Sequence, residues 1–344
     1  MDDATENAWQ RFIARPCTVP NYEATLSGFQ TEADAREVWH GVEGLLNVFG
    51  RTMNLVRLHR VTIAYDYAGT LAQIDQGTGT GNIVKPTNDE FATGVAMAVP
   101  ILVDGKPLIH LVGNAALFAA LRDKDTNQCA IARYILAHEC GHIHDLDVQD
   151  KAFPGFLLKA RVAGRKAVLF QMASACWSEY IACRLSAIWA SEEQTDWFED
   201  TFCSSLEGVR ARGNAAIRLY STEGDIERLL NCIVAEYGNV MKYGSYLLGH
   251  IAGLELEFSD TANKAVEMID SQKFFKGIFW RLKDRLEEMW KGYQNWNGPE
   301  VFESLEALSD EMLRIAGIHL ETTPKGLYVR VPFNGEIWSD LAGA

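Results

Sequence analysis

The segment LAHECGHIHDLD, residues 136–147, decides how this chain is interpreted. It contains three of the eight histidines of the chain, together with one glutamate and two aspartates. The apolar stretch AIARYILA precedes it, and the spacing predicts a buried α-helix that carries the segment. On such a helix His138 and His142 are four residues apart, so their imidazoles lie on the same side, one turn from each other.

Two imidazoles at this spacing can bind one zinc ion, each at about 2.0–2.1 Å. Glu139 lies next to the first histidine, where its carboxylate can reach a metal-bound water and act as its general base. Gly141 leaves room for another helix to pack closely against this face. The alternative interpretation is a polar helix C-terminus, where histidines interact favourably with the helix dipole.

The third ligand of such a site is not expected within the segment itself. A catalytic zinc ion normally has three protein ligands and one open position. If the helix continues, His144 points roughly 120° or more away from the line that joins His138 and His142. Asp145 lies on the correct face but about 10 Å further along the axis. We therefore expect Asp145 or Asp147 to orient His142 from behind, or to be solvated.

The expected third ligand is Glu179, in the stretch SACWSEYIACRLSA. It is the only acidic residue within 151–191. Its neighbours at one-turn spacing are small: Ala175, Cys176, Ala182 and Cys183. A carboxylate on such a face is buried by the next helix, and burial is costly unless a metal or a cation is its partner. A buried ion pair with Arg133 or Arg184 is the alternative.

Composition narrows the class of protein. The chain has 344 residues and a net charge of −14, which argues against nucleic acid or an anionic membrane as the main partner. No apolar run approaches the roughly 18 residues that a bilayer requires. The N-terminus lacks the basic and apolar regions of a secretory signal. Seven cysteines without a CxxC pair indicate reduced thiols, and we expect a cytoplasmic protein.

A small sheet is expected before the motif helix. The segment 56–67 is rich in β-branched and aromatic residues and predicts a strand. The segment 94–113 predicts two strands around the turn Asp104–Gly105. Pro100 and Pro107 each remove a donor from the ladder, which indicates that at least one of these strands lies at a sheet edge.

Helical periodicity dominates the rest of the chain. A helix is predicted over 31–54, with Thr31 as its N-cap. Further helices are predicted over 114–122, 127–144, 156–191, 197–212, 222–238, 240–257, 260–293 and 299–316. A last strand is expected over 326–333. The predicted fold is α+β but mainly α, with a small antiparallel sheet and the motif helix in an N-terminal lobe (1–152) and a helical C-terminal lobe (153–344) that is not independent of it.

The motif HECGH, followed by a glutamate on a later helix, resembles the gluzincin zinc metallopeptidases over roughly residues 94–190. Among these metallopeptidases, the chain is most similar to the ImmA/IrrE-type proteases, because it is short and is expected in the cytoplasm. Those proteases cleave regulatory proteins such as repressors. Those proteins generally place the glutamate nearer the motif, and this chain carries a long additional helical region.

The resemblance implies a zincin-like fold and a protein or peptide substrate that lies extended along the edge of the 94–113 hairpin. It also implies a role for each site residue: zinc ligation by His138, His142 and Glu179, and general base catalysis by Glu139.

Peptide hydrolysis at a metal also requires a donor to the oxyanion. Tyr180, Tyr246 and His250 are chemically suitable, although side chains of these types at helical spacing are typical of a core. Two rival functions remain open at this stage. One is a helical regulatory or interaction protein with an incidental or vestigial metal site, and the other is a zinc hydrolase of non-peptide substrates.

Overall fold

A computed structural model describes residues 10–123, 126–159 and 162–332. Helices predominate there, beside a small mixed sheet, which confirms the α+β, mainly α class. Among the described helices, none combines the length and the apolar character needed to span a bilayer.

The chain divides into two compact units. The first comprises Met1–Ala160 and Ile181–Glu192, and the second comprises Arg161–Tyr180 and Glu193–Ala344. One long helix contributes its first turns to the second unit and its last turns to the first unit.

The sheet belongs to the first unit and has four strands: β1 (Glu23–Ser27), β2 (Leu58–Ala64), β3 (Ala96–Val103) and β4 (Lys106–Asn114). Their spatial order is β1-β2-β4-β3. The expectation of an antiparallel sheet is wrong, because β1 and β2 pair in parallel, as do β2 and β4, and only β3 and β4 are antiparallel. The physical reason for the first pairing is that a helical crossover joins β1 to β2 and returns the chain in the same direction. β4 is parallel to β2 because two reversals separate them, one on the way to β3 and one at the hairpin turn.

The hairpin that was predicted over 94–113 is present, and its details follow from its turn and its prolines. Asp104 and Gly105 both have positive φ, 49° and 74°, as a two-residue hairpin turn of the primed type requires. β3 lies at the sheet edge, as its proline indicated. The Pro100 carbonyl accepts a hydrogen bond from Gln76 Nε2 at 3.1 Å on the side away from β4, so the missing N–H removes no ladder bond.

Two helices cover one face of this sheet: α1 (Glu32–Phe49) and, further along the chain, α4 (Asn127–Ala152). Between β2 and α4 lie two short helices, α2 (Tyr67–Ala72) and α3 (Ala115–Phe118). The predicted cap is confirmed, since the Thr31 side chain accepts a hydrogen bond from the Asp34 amide. The buried core between these layers includes Val42, Leu46, Val61, Ile63, Ile109, Leu111, Leu136, Cys140 and Ile143.

The helical remainder begins with α5 (Gly164–Ser186), α6 (Gln194–Leu206), α7 (Val209–Glu223) and α8 (Ile226–Gly253). It continues with α9 (Phe258–Thr261), α10 (Asn263–Ser271), α11 (Lys273–Gly292) and α12 (Glu303–Ile315). The last elements form the hairpin of β5 (His319–Thr323) and β6 (Gly326–Arg330). Residues 160, 161 and 333, which the predicted helix 156–191 and strand 326–333 include, lie outside the described residues.

Several boundaries differ from the sequence-based expectation. The two helices predicted over 222–238 and 240–257 form the single helix α8, whereas the one predicted over 260–293 is three helices. Gly238 does not end α8, since an interior glycine costs a helix only about 1 kcal/mol, which the packing of an otherwise apolar helix offsets.

His250 lies buried on α8 in the second unit. Its Nε2 atom is 3.0 Å from the Thr195 hydroxyl, and its ring centroid is 5.3 Å from that of Phe198. Burial lowers the pKa of His250 to about 4. The folded protein therefore holds this imidazole in its neutral form at neutral pH.

This lowered pKa predicts a pH dependence of stability. A histidine of the unfolded chain titrates near pH 6.5, so the unfolded state takes up the proton first as the pH falls. The contribution of the neutral imidazole to the free energy of unfolding is fully present above pH 6.5 and is lost between pH 6.5 and about 4. This loss is at most about 3 kcal/mol. We expect urea unfolding at pH 7, 5.5 and 4 to show that the free energy of unfolding falls less with pH in His250→Gln than in the unsubstituted protein. Parallel curves would contradict this, and His40→Gln, at an exposed position of α1, is the control.

Candidate metal centre

The motif HECGH lies in the middle of α4, where residues 138–141 are buried and His142 is half-buried. His138 is 8% exposed and Glu139 is 7% exposed. The Nε2 atoms of His138 and His142 are 3.1 Å apart. Two ligands of a tetrahedral zinc ion, each at 2.0–2.1 Å, are separated by about 3.3 Å. The two imidazoles therefore converge as ligands of a single ion do.

Glu179 on α5 completes a group of three possible ligands. One ligand atom from each of His138, His142 and Glu179 can be chosen so that all three lie within 4.8 Å of one another. His138 is buried, and the other two side chains are half-buried. Two imidazole nitrogens and one carboxylate oxygen suit zinc and other first-row divalent ions, and three protein ligands leave a position open. This group consists of the three residues that the sequence analysis selected as ligands.

A close approach of two helices brings these elements together. A Cβ atom added to Gly141 would lie 2.8 Å from Ala182 Cα and 3.2 Å from the Ala182 carbonyl oxygen. The first distance is shorter than any that a Cβ atom keeps in a folded protein. The expectation that Gly141 allows close packing is thereby confirmed. Glu179 lies three residues before Ala182 on α5, hence on a similar side of that helix.

Cys183, the residue after Ala182, contacts His138 at Nδ1, on the side of the ring away from His142. Its Sγ atom is 3.6 Å from His138 Nδ1 and 3.7 Å from the Tyr134 hydroxyl oxygen. The sequence pattern around this cysteine indicates only a small residue beside Glu179. Its spacing of one turn from Glu179 was the signal that a cysteine there also faces the motif helix.

Glu139 is held at the edge of the sheet. Its Oε2 atom accepts a hydrogen bond of 2.6 Å from the backbone N–H of Ala98, on β3. The carboxylate therefore lies at the unpaired side of the edge strand, beside the two histidines that flank it in sequence. No local pattern identified Ala98, because this contact joins residues 41 positions apart.

The polar residues that follow the motif have other partners. His144 Nδ1 accepts a hydrogen bond from the backbone N–H of Asn54 at 2.8 Å, consistent with the exclusion of His144 as a ligand. Asp147 forms ion pairs with Arg57 at 2.8 Å and with Lys151 at 2.6 Å. These contacts attach the end of α4 to the loop after α1.

Asp145 is buried and accepts a hydrogen bond from Gln149 Nε2 at 2.6 Å. This bond is compatible with a carboxylate that also orients His142, and that role stays a prediction.

The three candidate oxyanion donors lie in the helices of the second unit. Tyr180 is 1% exposed, and its backbone is so close to Gly249 of α8 that an added Cβ would lie 2.2 Å from the Tyr180 carbonyl oxygen. Tyr246 and His250 lie one turn apart on α8 and pack against Phe198 with tilted rings. These contacts are typical of packing residues, and the role of oxyanion donor stays a prediction for all three.

Tyr67, a residue that no sequence motif singles out, lies near the Glu139 carboxylate. It is the first residue of α2, directly after the cap residue Asp66. Its hydroxyl is buried without a hydrogen-bond partner among the described residues. Burial and the nearby Glu139 carboxylate raise the pKa of Tyr67 well above its usual value, so the phenol stays protonated near neutral pH.

The contact at Gly141 predicts a specific loss of stability. Gly141→Ala should reduce the free energy of unfolding by about 1–2 kcal/mol, because overpacking costs about 1–3 kcal/mol and alanine returns up to about 1 kcal/mol of helix propensity. Gly44→Ala on α1 is the matched control, since its Cβ would meet nothing within 4 Å, and it should stabilise by about 0.5–1 kcal/mol. Urea unfolding of both variants tests this. Equal changes in the two variants would show that α4 and α5 do not require the glycine.

No protein-family model matches the chain, and no match was found among the curated proteins or the solved structures. The function is therefore argued from the site, beginning with the convergence of His138, His142 and Glu179.

Proposed function

We propose that this chain is a cytoplasmic zinc-dependent metallopeptidase of the gluzincin type. The observation that carries the proposal is the grouping of His138, His142 and Glu179, which come from two helices and fit the donor set of a catalytic zinc ion. This grouping supports a ligand role for Glu179, and an ion pair with an arginine remains its alternative.

The motif residues divide the chemistry between binding and proton transfer. When bound, zinc would acidify a water molecule and polarise the scissile carbonyl. Glu139 is the residue that accepts the proton of the attacking water and passes it to the leaving nitrogen. The Ala98 N–H orients that carboxylate through its Oε2 atom.

The edge of β3 supports a peptide as the substrate. An extended chain can add to an exposed edge strand through backbone hydrogen bonds. Gln76 already occupies the edge further along, because its carbonyl accepts from the Leu102 N–H at 2.9 Å and its side chain donates to Pro100. The part of β3 left for a substrate is thus the part around Ala96, because the Ala98 N–H already donates to Glu139.

The zincin-like arrangement also stays part of this proposal, with a sheet that is mixed and not antiparallel. Parallel strands β1, β2 and β4 precede the motif helix, and the antiparallel strand β3 forms the edge at which Glu139 lies. The partner expected for such a site is a protein or peptide substrate, such as a regulatory protein. Of the two kinds of substrate, only a peptide could add backbone hydrogen bonds along the edge of β3.

Metal analysis tests the ligand set. Protein purified without chelator should contain about one equivalent of zinc, and His138→Ala should lose most of it, because two remaining ligands bind weakly. His40→Ala, an exposed histidine on α1, should keep the metal and serves as the control. Failure to find near-stoichiometric metal in the unsubstituted protein would reject the proposal.

A second variant separates metal binding from catalysis. Glu139→Gln retains an oxygen that can accept from Ala98 but provides no base, so it should keep the metal and lose about 10²–10⁴-fold in peptide cleavage. Cleavage of a fluorogenic peptide library by both proteins is the measurement. A protein that binds zinc but shows no cleavage that depends on Glu139 would instead support the regulatory protein with a vestigial site.

A further inference from the structure

The Sγ atom of Cys183 contacts Nδ1 of His138, the first candidate metal ligand, and this contact suggests a function for Cys183. We infer that Cys183, assisted by Tyr134, is a positioning residue that orients the imidazole of His138 for metal binding. The inference rests on the metal site of the proposed function, and it concerns residues that the motif itself does not include.

The two nitrogens of His138 face different partners. Nε2 lies 3.1 Å from Nε2 of His142, on the side where the ligand atoms converge. Nδ1, on the other side of the ring, lies 3.6 Å from Cys183 Sγ. A neutral imidazole that binds a metal through Nε2 must carry its proton on Nδ1, and an acceptor at Nδ1 selects this tautomer and fixes the ring plane. The Cys183 sulfur is placed to be that acceptor.

A second donor fixes the position of the sulfur. The Tyr134 hydroxyl donates to the same Sγ atom at 3.7 Å. Tyr134 and His138 are one turn apart on α4, so two donors from one helix meet a single sulfur on α5. Tyr134 is 4% exposed and Cys183 is fully buried, which keeps water from replacing either bond. The three side chains therefore hold one another in a single arrangement.

Sulfur differs from the usual acceptor in a way that matters for the metal. Metal-binding histidines most often donate to a carboxylate or a carbonyl, which raises the basicity of the ring. A thiol sulfur accepts only weakly, so it orients the ring with little effect on its basicity. Replacement of Cys183 should therefore act through the orientation of His138, which a metal spectrum reports.

The same helix provides a matched cysteine. Cys176 lies two turns earlier on α5, is also fully buried, and lies near Ser245 of α8. Loss of Cys176 removes the same volume from the same helix without affecting the ring of His138. A pure packing role for Cys183 would make the two alanine variants behave alike.

The test measures zinc affinity of the full-length protein by competition with a chromophoric chelator. Cys183→Ala should bind zinc about 10–100-fold more weakly, as expected when a partner behind a ligand is removed. Cys183→Ser keeps an acceptor and should stay within about threefold of the unsubstituted protein. Cys176→Ala should bind zinc with unchanged affinity. The visible spectrum of the cobalt-substituted protein should shift in Cys183→Ala and not in Cys176→Ala.

Tyr134→Phe provides a variant that keeps the packing and removes one hydrogen bond, in case Cys183→Ala does not fold. It should weaken zinc binding by about two- to tenfold, the range for loss of one neutral hydrogen bond. Unchanged affinity and an unchanged cobalt spectrum in both Cys183→Ala and Tyr134→Phe would overturn the inference. So would a folded Cys183→Ser that binds no better than Cys183→Ala. If the unsubstituted protein binds no metal, the proposed function fails first and the inference fails with it, whereas loss of cleavage alone leaves the inference intact.

Discussion

The close approach of α4 and α5 at Gly141 is the constraint on which the candidate site depends. With 2.8 Å between a virtual Cβ of Gly141 and Ala182 Cα, a side chain of any size would separate the helices. Close packing has no preferred direction, so this contact acts by setting the distance between α4 and α5. At that distance Cys183 lies within reach of His138, and the turn that carries Glu179 belongs to the same helix.

A second constraint ties the motif helix to the sheet. Glu139 accepts from the N–H of Ala98, a group of the edge strand that has no ladder partner on that side. The bond satisfies a backbone donor and at the same time orients a carboxylate, so one contact serves both the stability of the edge and the geometry of the site. The core beneath it, between the sheet and α1 and α4, keeps the strand and the helix in register.

Much of the fold followed from local patterns, and the errors have a common cause. The turn at Asp104–Gly105, the edge position indicated by Pro100 and the cap at Thr31 depend on neighbours in sequence, and all three are confirmed. The antiparallel sheet was a wrong expectation because the direction of pairing depends on where a crossover returns the chain. β1 was missed because five largely exposed residues, Glu23–Ser27, carry little hydrophobic pattern.

The sequence by itself determined the relation between His138, Glu139 and His142, since residues one or four positions apart on a helix have a geometry set by the backbone alone. It also indicated Glu179, because an isolated carboxylate among small residues needs a partner when buried. Only the tertiary structure decided that Ala98 holds the carboxylate of Glu139 and that sulfur lies behind His138. These contacts join residues more than 40 positions apart, and their distances depend on how whole helices and strands pack, which no local pattern encodes.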